Sequence, residues 1–383
     1  MLPLSIYDLQ RLARRRIPRM FYDYVDAGSW TESTYKANEA DLTLLKLRQR
    51  VAQDISRRSM ETKIVAQPAT MPVALAPVGL TGMMHADGEI LAAAAAARFG
   101  APFTLSTMSI CSIEDVASAV TAPFWFQLYV MRDRGFVADL IDRAKGAGCS
   151  ALMVTLDLQI LGQRHKDIRN GLSTPPKLNF SSFLQMATRP AWCAQMLGAR
   201  RRDFGNIVGH VKGVSNLASL STWVAEQFDP TLSWADIEWI KKRWGGKLIL
   251  KGIMDPEDAA AATAIGADAI VVSNHGGRQL DGAPSSISAL QAIAEAVGDR
   301  IEVQFDGGIR SGQDVFRALC LGAKSVYVGR AFIYGLAALG EVGVKRALEI
   351  IQMELDKTMA LCGVTRIEDL SPRNLVSGVE RGR

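Results

Sequence analysis

The sequence predicts an α/β chain that folds as a closed (β/α)8, or TIM, barrel with a helical N-terminal extension and one long loop after the fourth strand. Three observations predict it. Eight short apolar runs follow residue 71, each nearly continuous in Val, Ile, Leu or Phe, as strands covered on both faces are. Helix-like segments separate most of them. Polar residues stand at the C-terminal ends of seven of the eight runs, as around a pocket at one end of a barrel. A doubly wound open sheet is the alternative, because periodicity does not distinguish a closed edge from an open one. The count of eight favours closure.

The elements follow in order. Residues 1–70 precede the barrel and read as largely helical, with Tyr7–Arg16 and Met20–Ala27 as short helices. The runs are MPVALAPVG (71–79), APFTLST (101–107), PFWFQLYV (123–130), ALMVTLD (151–157), KLILKG (247–252), AIVVSN (269–274), IEVQFDGG (301–308) and SVYVGR (325–330). Between them, Glu89–Phe99 carries six consecutive alanines, and Asp255–Ile265 opens with a capping Asp, a Pro and acids. Ser233–Trp244 and Ser311–Leu321 each begin with a capping serine. The barrel spans 71–362 within a single domain of 383 residues. The connection from Asp157 to Ser233 breaks the rhythm, and a loop of that length is usually functional. Its part from Lys177 to Lys212 joins Phe180, Phe183, Leu184, Met186, Trp192, Met196 and Leu197 to Arg189, Arg200, Arg201 and Arg202, against one acid, Asp203.

Composition narrows the function. Apolar residues make up 48% and charged residues 22%, as in a globular chain with a sizeable core. A net charge of +5, with no aromatic-plus-basic repeat, gives no reason to expect nucleic acid, but suits anionic ligands or an anionic membrane surface. Five cysteines without a CxxC pair point away from a disulfide framework or a zinc site, so no metal is expected. The opening MLPLSIYDLQ lacks the order of a secretion signal, and no run approaches a membrane span.

The polar strand ends are Ser106, Gln127 with Tyr129, Thr155 with Asp157, Lys251, Ser273-Asn274-His275, Asp306-Gly307-Gly308 with Arg310, and Gly329-Arg330. The last two suggest a phosphate site: glycines admit an oxyanion to the backbone N–H groups, and an arginine follows each. Tight turns alone would explain the glycines but not both arginines. His275 is the candidate general base, since imidazole titrates near neutral pH. Asp157 could orient it, and Arg278, three residues on, could hold a carboxylate. Lys251, ending an apolar strand, could stabilise negative charge on a reduced cofactor, or serve only as an internal salt bridge. His85, His165 and His210 lack such company.

SNHGGRQLDG (273–282), with DGGIR and GR downstream, resembles the FMN-dependent L-2-hydroxy acid dehydrogenase and oxidase family over nearly the whole chain. FYDYVDAGS (21–29), FQLYV (126–130) and TLDLQILGQRHKDIRNG (155–171) are similar to further family segments. PVGLTG (77–82), LSTMSICSIEDVA (105–117) and FDPTLSWADIEWI (228–240) place the likeness nearest the family's bacterial respiratory L-lactate dehydrogenases. The resemblance implies FMN contacts at Pro77, Val78, Gly79, Ser106, Gln127, Thr155, Lys251, Ser273, Asp306, Gly307, Gly308, Arg310, Gly329 and Arg330. It implies substrate contacts at Tyr24, Tyr129, Arg164 and Arg278, with His275 as base and Asp157 and Tyr129 beside it in the catalytic set. The reaction implied is oxidation of an L-2-hydroxy acid to a 2-oxo acid, with (S)-lactate to pyruvate in front and a membrane quinone as electron acceptor.

Two positions bear on subtype. Gly79 stands where oxidases of the family tend to carry alanine, and Met108 where glycolate oxidases tend to carry tryptophan. Gly79 favours a dehydrogenase over a peroxide-forming oxidase, and Met108 weakens glycolate as substrate and leaves lactate ahead; a mandelate-type dehydrogenase is the other alternative within the family. In membrane-associated relatives the segment matching 177–212 is the attachment element, which implies peripheral contact with the cytoplasmic face of a bacterial inner membrane. The other reading of that segment is a mobile lid. A homo-oligomer, tetrameric by analogy, is also implied. From a different class, a catalytically silent flavin- or phosphate-binding barrel would not need Tyr24, Tyr129, His275 and Arg278 together.

Overall fold

The computed structural model describes residues 2–172, 180–210 and 227–376, with backbone alone at 180–183. Its centre is an eight-stranded parallel sheet: β1 (Val73–Leu75), β2 (Thr104–Ser106), β3 (Trp125–Tyr129), β4 (Ala151–Thr155), β5 (Lys247–Ile253), β6 (Ala269–Val272), β7 (Glu302–Phe305) and β8 (Ser325–Val328). From β2 onward each strand pairs with the next in sequence, and β8 pairs with β1. A parallel bridge between Leu75 and Phe103, with Leu75 N donating to Pro102 O at 2.8 Å, joins β1 to β2 and closes the ring. Closure, which periodicity left open, is therefore settled.

Strand period places the side chains. Phe126, Leu128, Leu152, Val154, Leu248, Leu250, Ile270, Val272, Val303 and Phe305 point outward into the main core beneath the helices. Their neighbours Trp125, Ala151, Met153, Ile249, Ala269, Val271 and Tyr327 fill the barrel interior. One step further up the same inward rows stand Gln127, Thr155, Lys251, Ser273 and Asp306, all buried. The apolar layers thus make a packed floor and the polar layer a lined top.

The helices form where their caps read. Asp255, Ser233 and Ser311 flank Pro256–Ala264, Trp234–Trp244 and Gly312–Cys320, and the alanine run becomes Gly88–Phe99. The N-terminal extension begins with α1 (Ile6–Arg16), α2 (Arg19–Val25) and α3 (Ser33–Leu44). The expectation of a largely helical 1–70 needs correction beyond Leu45. Lys46–Leu47 pairs with the chain end at Leu375–Val376, and Thr62–Ile64 with Gln67–Ala69 makes a hairpin. That hairpin plugs the lower barrel mouth, where Ile64, Val65 and Ala69 join the interior core and Gln67 Oε1 accepts from Trp125 Nε1 at 3.0 Å. Such short extended pieces carry no period for a sequence to show.

The connection after β4 is also more ordered than a loop. It holds the helices His165–Arg169, Phe180–Ala187 and Pro190–Gly198. Lys177 and Lys212, and the side chains of Phe180 and Phe183, lie outside the described residues. Trp192 is buried against Phe21, ring centroids 5.3 Å apart, and its Nε1 donates to Met83 O. Asn206, fully buried, accepts from Ile113 N and donates to Ser109 Oγ. Arg201 pairs with Asp87 at 2.8 Å and Asp115 at 2.7 Å. Residues 199–207 are therefore fastened to the barrel rim.

Candidate active site

A cavity of about 680 Å3 opens at the C-terminal ends of the strands. Sixteen of the twenty site residues expected from the sequence line it: Tyr24, Pro77, Val78, Gly79, Tyr129, Thr155, Arg164, Lys251, His275, Arg278, Asp306, Gly307, Gly308, Arg310, Gly329 and Arg330. Ser106, Gln127, Asp157 and Ser273 do not. They stand one layer behind, and each has a contact that shows why. Asp157 Oδ1 lies 2.9 Å from His275 Nδ1. Ser273 Oγ accepts from Lys251 Nζ at 2.7 Å and from His275 N at 3.1 Å. Ser106 Oγ donates to Gln127 Oε1 at 3.1 Å, which fixes the Gln127 amide.

The His275 turn is built for close approach. His275, Gly276 and Gly277 all adopt positive φ, at 58°, 64° and 73°. A Cβ on Gly277 would fall 2.4 Å from Tyr35 N, so both the backbone and the packing require glycine there. His275 itself bears the strain of a left-handed backbone, which functional residues often carry. Burial lowers the imidazole pKa, with the Asp157 charge opposing. Burial pushes the Asp157 carboxyl up, but His275 and Lys251 outweigh it and hold it below its ordinary value. The resting pair is thus a neutral imidazole, Nδ1–H donated to a carboxylate, with Nε2 left as the base. Gly252 makes room behind it: φ is 105°, the β5–β6 register shifts there, and a Cβ would sit 2.8 Å from Asp157 Cβ.

Arg278 joins the barrel to the extension. Its Nη1 donates to Tyr24 O at 2.6 Å and Ala27 O at 3.3 Å, and its guanidinium lies 4.9 Å from the Tyr24 ring centroid. Arg164 lies 6.0 Å from the same centroid. Burial, with Arg164 nearby, brings the Arg278 pKa down to about 10, so it remains a cation. Burial also raises the Tyr129 phenol, and the Asp157 charge adds to this, so it stays protonated. Lys251 Nζ meets Asp306 Oδ2 at 2.8 Å.

The two arginines expected at a phosphate already have protein partners. Arg310 pairs with Glu39 at 2.8 Å, and Arg330 donates to Val25 O and Ala27 O and stacks 4.5 Å from the Tyr35 centroid. Both nevertheless line the cavity. Their spacing after glycines therefore serves attachment of α2 and α3 as well. Sequence reasoning missed Glu39, Gly252 and the cavity-lining Asp167 and Phe204, and it grouped Met186, which lines the cavity, with the membrane-contacting residues of 177–212. Asp167, three residues after Arg164 on a helix, is the one that carried a signal, an i,i+3 ion pair.

Residues 13–377 match the family model described as FMN-dependent dehydrogenase. The chain belongs to that family. It is 47% identical to an L-lactate dehydrogenase of Caulobacter sp. (strain K31), over 98% of this chain and 99% of the relative. It is 48% identical to one of Acinetobacter baylyi, over 97% of each. Among solved structures, a monotopic membrane protein (S)-mandelate dehydrogenase superposes with a TM-score of 0.94 at 33% identity, covering 99% of this chain and 100% of that one. FMN is accordingly the cofactor of this oxidoreductase. The residues present fit it. Gln127 Nε2 and Asp306 Oδ1 are buried polar atoms without a hydrogen-bond partner within the described residues, beside Lys251 and a glycine-lined wall. A flavin's polar ring edge and phosphate need such donors, cations and close backbone. Among the described residues no cluster could hold a metal ion.

Proposed function

We propose that the chain oxidises L-2-hydroxy acids, (S)-lactate to pyruvate foremost, and passes the electrons to a membrane quinone. The observation that carries it is the His275–Asp157 pair at 2.9 Å in one cavity with Arg278, Arg164 and Tyr24. Bound FMN would accept the two electrons that the substrate carbon gives up. Pro77, Val78, Gly79 and Thr155 would hold the flavin ring with Ser106, Gln127, Lys251 and Ser273. Asp306, Gly307, Gly308, Arg310, Gly329 and Arg330 would hold its ribityl phosphate. Arg278 and Arg164, both beside the Tyr24 ring, bind the substrate carboxylate. Among the described residues Arg278 donates hydrogen bonds through Nη1 alone, which leaves Nε and Nη2 for a bidentate contact. Tyr24 and Tyr129 donate to substrate oxygens through their phenol hydroxyls. His275 Nε2 takes a proton from the substrate, and Asp157 stabilises the imidazolium that results. Lys251 offsets negative charge developing on the cofactor side.

Gly79, the position that the family likeness ties to dehydrogenases over oxidases, is tightly packed. A methyl there would lie 3.1 Å from Met108 Cβ and 3.3 Å from the Tyr24 hydroxyl. The position thus has a steric reason for glycine, independent of oxygen reactivity, and the two reasons need separate tests. Anaerobic mixing of holoenzyme with L-lactate is expected to bleach the flavin absorbance; no bleaching by any small L-2-hydroxy acid refutes the proposal. Adding a short-chain quinone or oxygen then separates quinone reduction from peroxide formation. A side-chain panel from lactate to mandelate separates the mandelate-type alternative.

Peripheral membrane contact at the cytoplasmic face of a bacterial inner membrane completes the proposal. It rests on Leu184 and Leu197, 56% and 77% exposed on two helices that carry few charges, and on exposed Arg200 and Arg202 nearby. Trp192 and Arg201, expected to share that contact, face the protein instead. No helix among the described residues is long and apolar enough to cross a membrane. Replacing Leu184 and Leu197 together by serine is expected to release the protein from anionic vesicles without loss of dye-linked activity. Retained binding removes this part. Sedimentation of the holoenzyme tests the homo-oligomer, proposed as a tetramer.

A further inference from the structure

A carboxylate stands inside the arginine site. Asp167, on the helix His165–Arg169, is 8% exposed and lines the cavity shared by Arg164, Arg278 and His275. Its Oδ2 accepts from Arg164 Nη1 at 3.4 Å, while Oδ1 is buried without a hydrogen-bond partner within the described residues. The charged groups facing it are Arg164 from its own segment, Arg278 from the turn after β6, and Asp23 from α2. A salt bridge built for folding would saturate both oxygens. One long contact and one unmet oxygen return little of the desolvation that burial costs. The Asp167 charge therefore acts chiefly on the two guanidinium groups around Tyr24.

We propose that Asp167 is a positioning residue that holds Arg164 and limits the positive charge of the carboxylate site, so that the oxo acid product leaves. The proposal rests on the reading that Arg164 and Arg278 bind the substrate carboxylate. Substrate and product carry the same carboxylate, so excess positive charge tightens both without lowering the barrier between them. Two arginines without a counter-charge would hold the product and slow turnover. Burial already raises the Asp167 carboxyl pKa, with Arg278 and Arg164 opposing. A bound anion adds a second negative charge beside it and raises it further. Anion binding is thus coupled to proton uptake at Asp167.

The test is Asp167→Asn, assayed as FMN-loaded enzyme by titrating pyruvate and following the flavin absorbance shift. Removal of the charge is expected to tighten pyruvate at neutral pH on the order of tenfold. KM for the hydroxy acid falls with it, and kcat falls wherever product release limits the rate. Asp167→Glu restores wild-type affinity. A purely structural carboxylate predicts the opposite, weaker pyruvate binding and a higher KM. Weaker or unchanged binding in the FMN-loaded variant overturns the proposal. A second measurement needs no change at Asp167: proton uptake on pyruvate binding, followed with an indicator dye in His275→Gln, where the imidazole no longer contributes. Uptake is expected, and its absence refutes the coupling. The arginine reading fails by a different result, unchanged pyruvate affinity in both Arg164→Met and Arg278→Met.

Discussion

Replacing Asp157 by asparagine tests the central pair of the site. The side chain keeps its size, and its amide oxygen can still accept from His275 Nδ1 across the 2.9 Å contact. What disappears is the negative charge. In the resting site this costs little, because burial already keeps the imidazole neutral. In the transition state a proton moves onto Nε2, and the imidazolium has lost its counter-charge. Unit charges about 4 Å apart attract by about 4 kcal/mol at an effective dielectric near 20. The neighbouring carboxylate, Asp306, is paired with Lys251 Nζ at 2.8 Å and so offers no replacement anion. A loss of about 3–4 kcal/mol corresponds to a roughly 10²–10³-fold slower proton-transfer step. The assay is anaerobic stopped-flow reduction of the bound flavin by L-lactate, which isolates the chemical step from reoxidation. Substrate affinity should change little, since Arg164, Arg278 and Tyr24 are untouched. A rate within tenfold of wild type, at full FMN content, would show that Asp157 does not stabilise the imidazolium.

Other changes follow from the same geometry. His275→Gln is expected to retain FMN but to lose turnover by several powers of ten, as for an essential base; near-normal flavin reduction contradicts the mechanism. Because burial lowers the His275 pKa, kcat/KM should rise with pH through a midpoint below the ordinary imidazole value, as the base form appears; a midpoint above it in a pH–rate profile refutes the assignment. Gly252→Ala places a Cβ against Asp157 at a φ of 105° and should cost about 1–3 kcal/mol of stability while slowing flavin reduction, read by denaturant unfolding and stopped flow. Asn206→Ala leaves the buried Ile113 N–H without its acceptor and removes the bond that Ser109 Oγ accepts, and should destabilise by about 2–3 kcal/mol; an unchanged melting temperature refutes the rim-anchor role of 199–207.

Much of the site was legible because strand period carries it. Trp125, Gln127 and Tyr129 alternate with Phe126 and Leu128, so one row had to leave its apolar floor and become polar at the top. The same step occurs from Met153 to Thr155 and from Val271 to Ser273. Residues away from the strand ends, Tyr24 and Arg164 among them, were legible only through family likeness. Nothing local distinguishes Tyr24 from Tyr22, yet one lines the cavity and the other donates to Asp26. The arginines show the limit from the other side. Arg310 and Arg330 follow glycines as a phosphate site requires, but their pairing with Glu39 and with the Val25 and Ala27 carbonyls joins residues about 270 to 305 positions apart. No local pattern encodes such contacts.

By itself, the sequence determined the eight strands, their inward polar layer, the capped helices and the chemical types available at the strand ends, because each depends on a period or a cap read within a few residues. Only the tertiary structure decided which of those residues share a cavity. Ring closure at Leu75 and Phe103 made one pocket from eight ends. It set Asp157 behind His275 rather than in the pocket, and folded α2 over the barrel mouth so that Tyr24 lies near both Arg164 and Arg278. It also turned Trp192 and Arg201 inward from a segment whose composition alone suggested an exposed surface. The physical reason is the same in each case: burial and pairing are settled between distant segments, and composition records only what each segment has to offer.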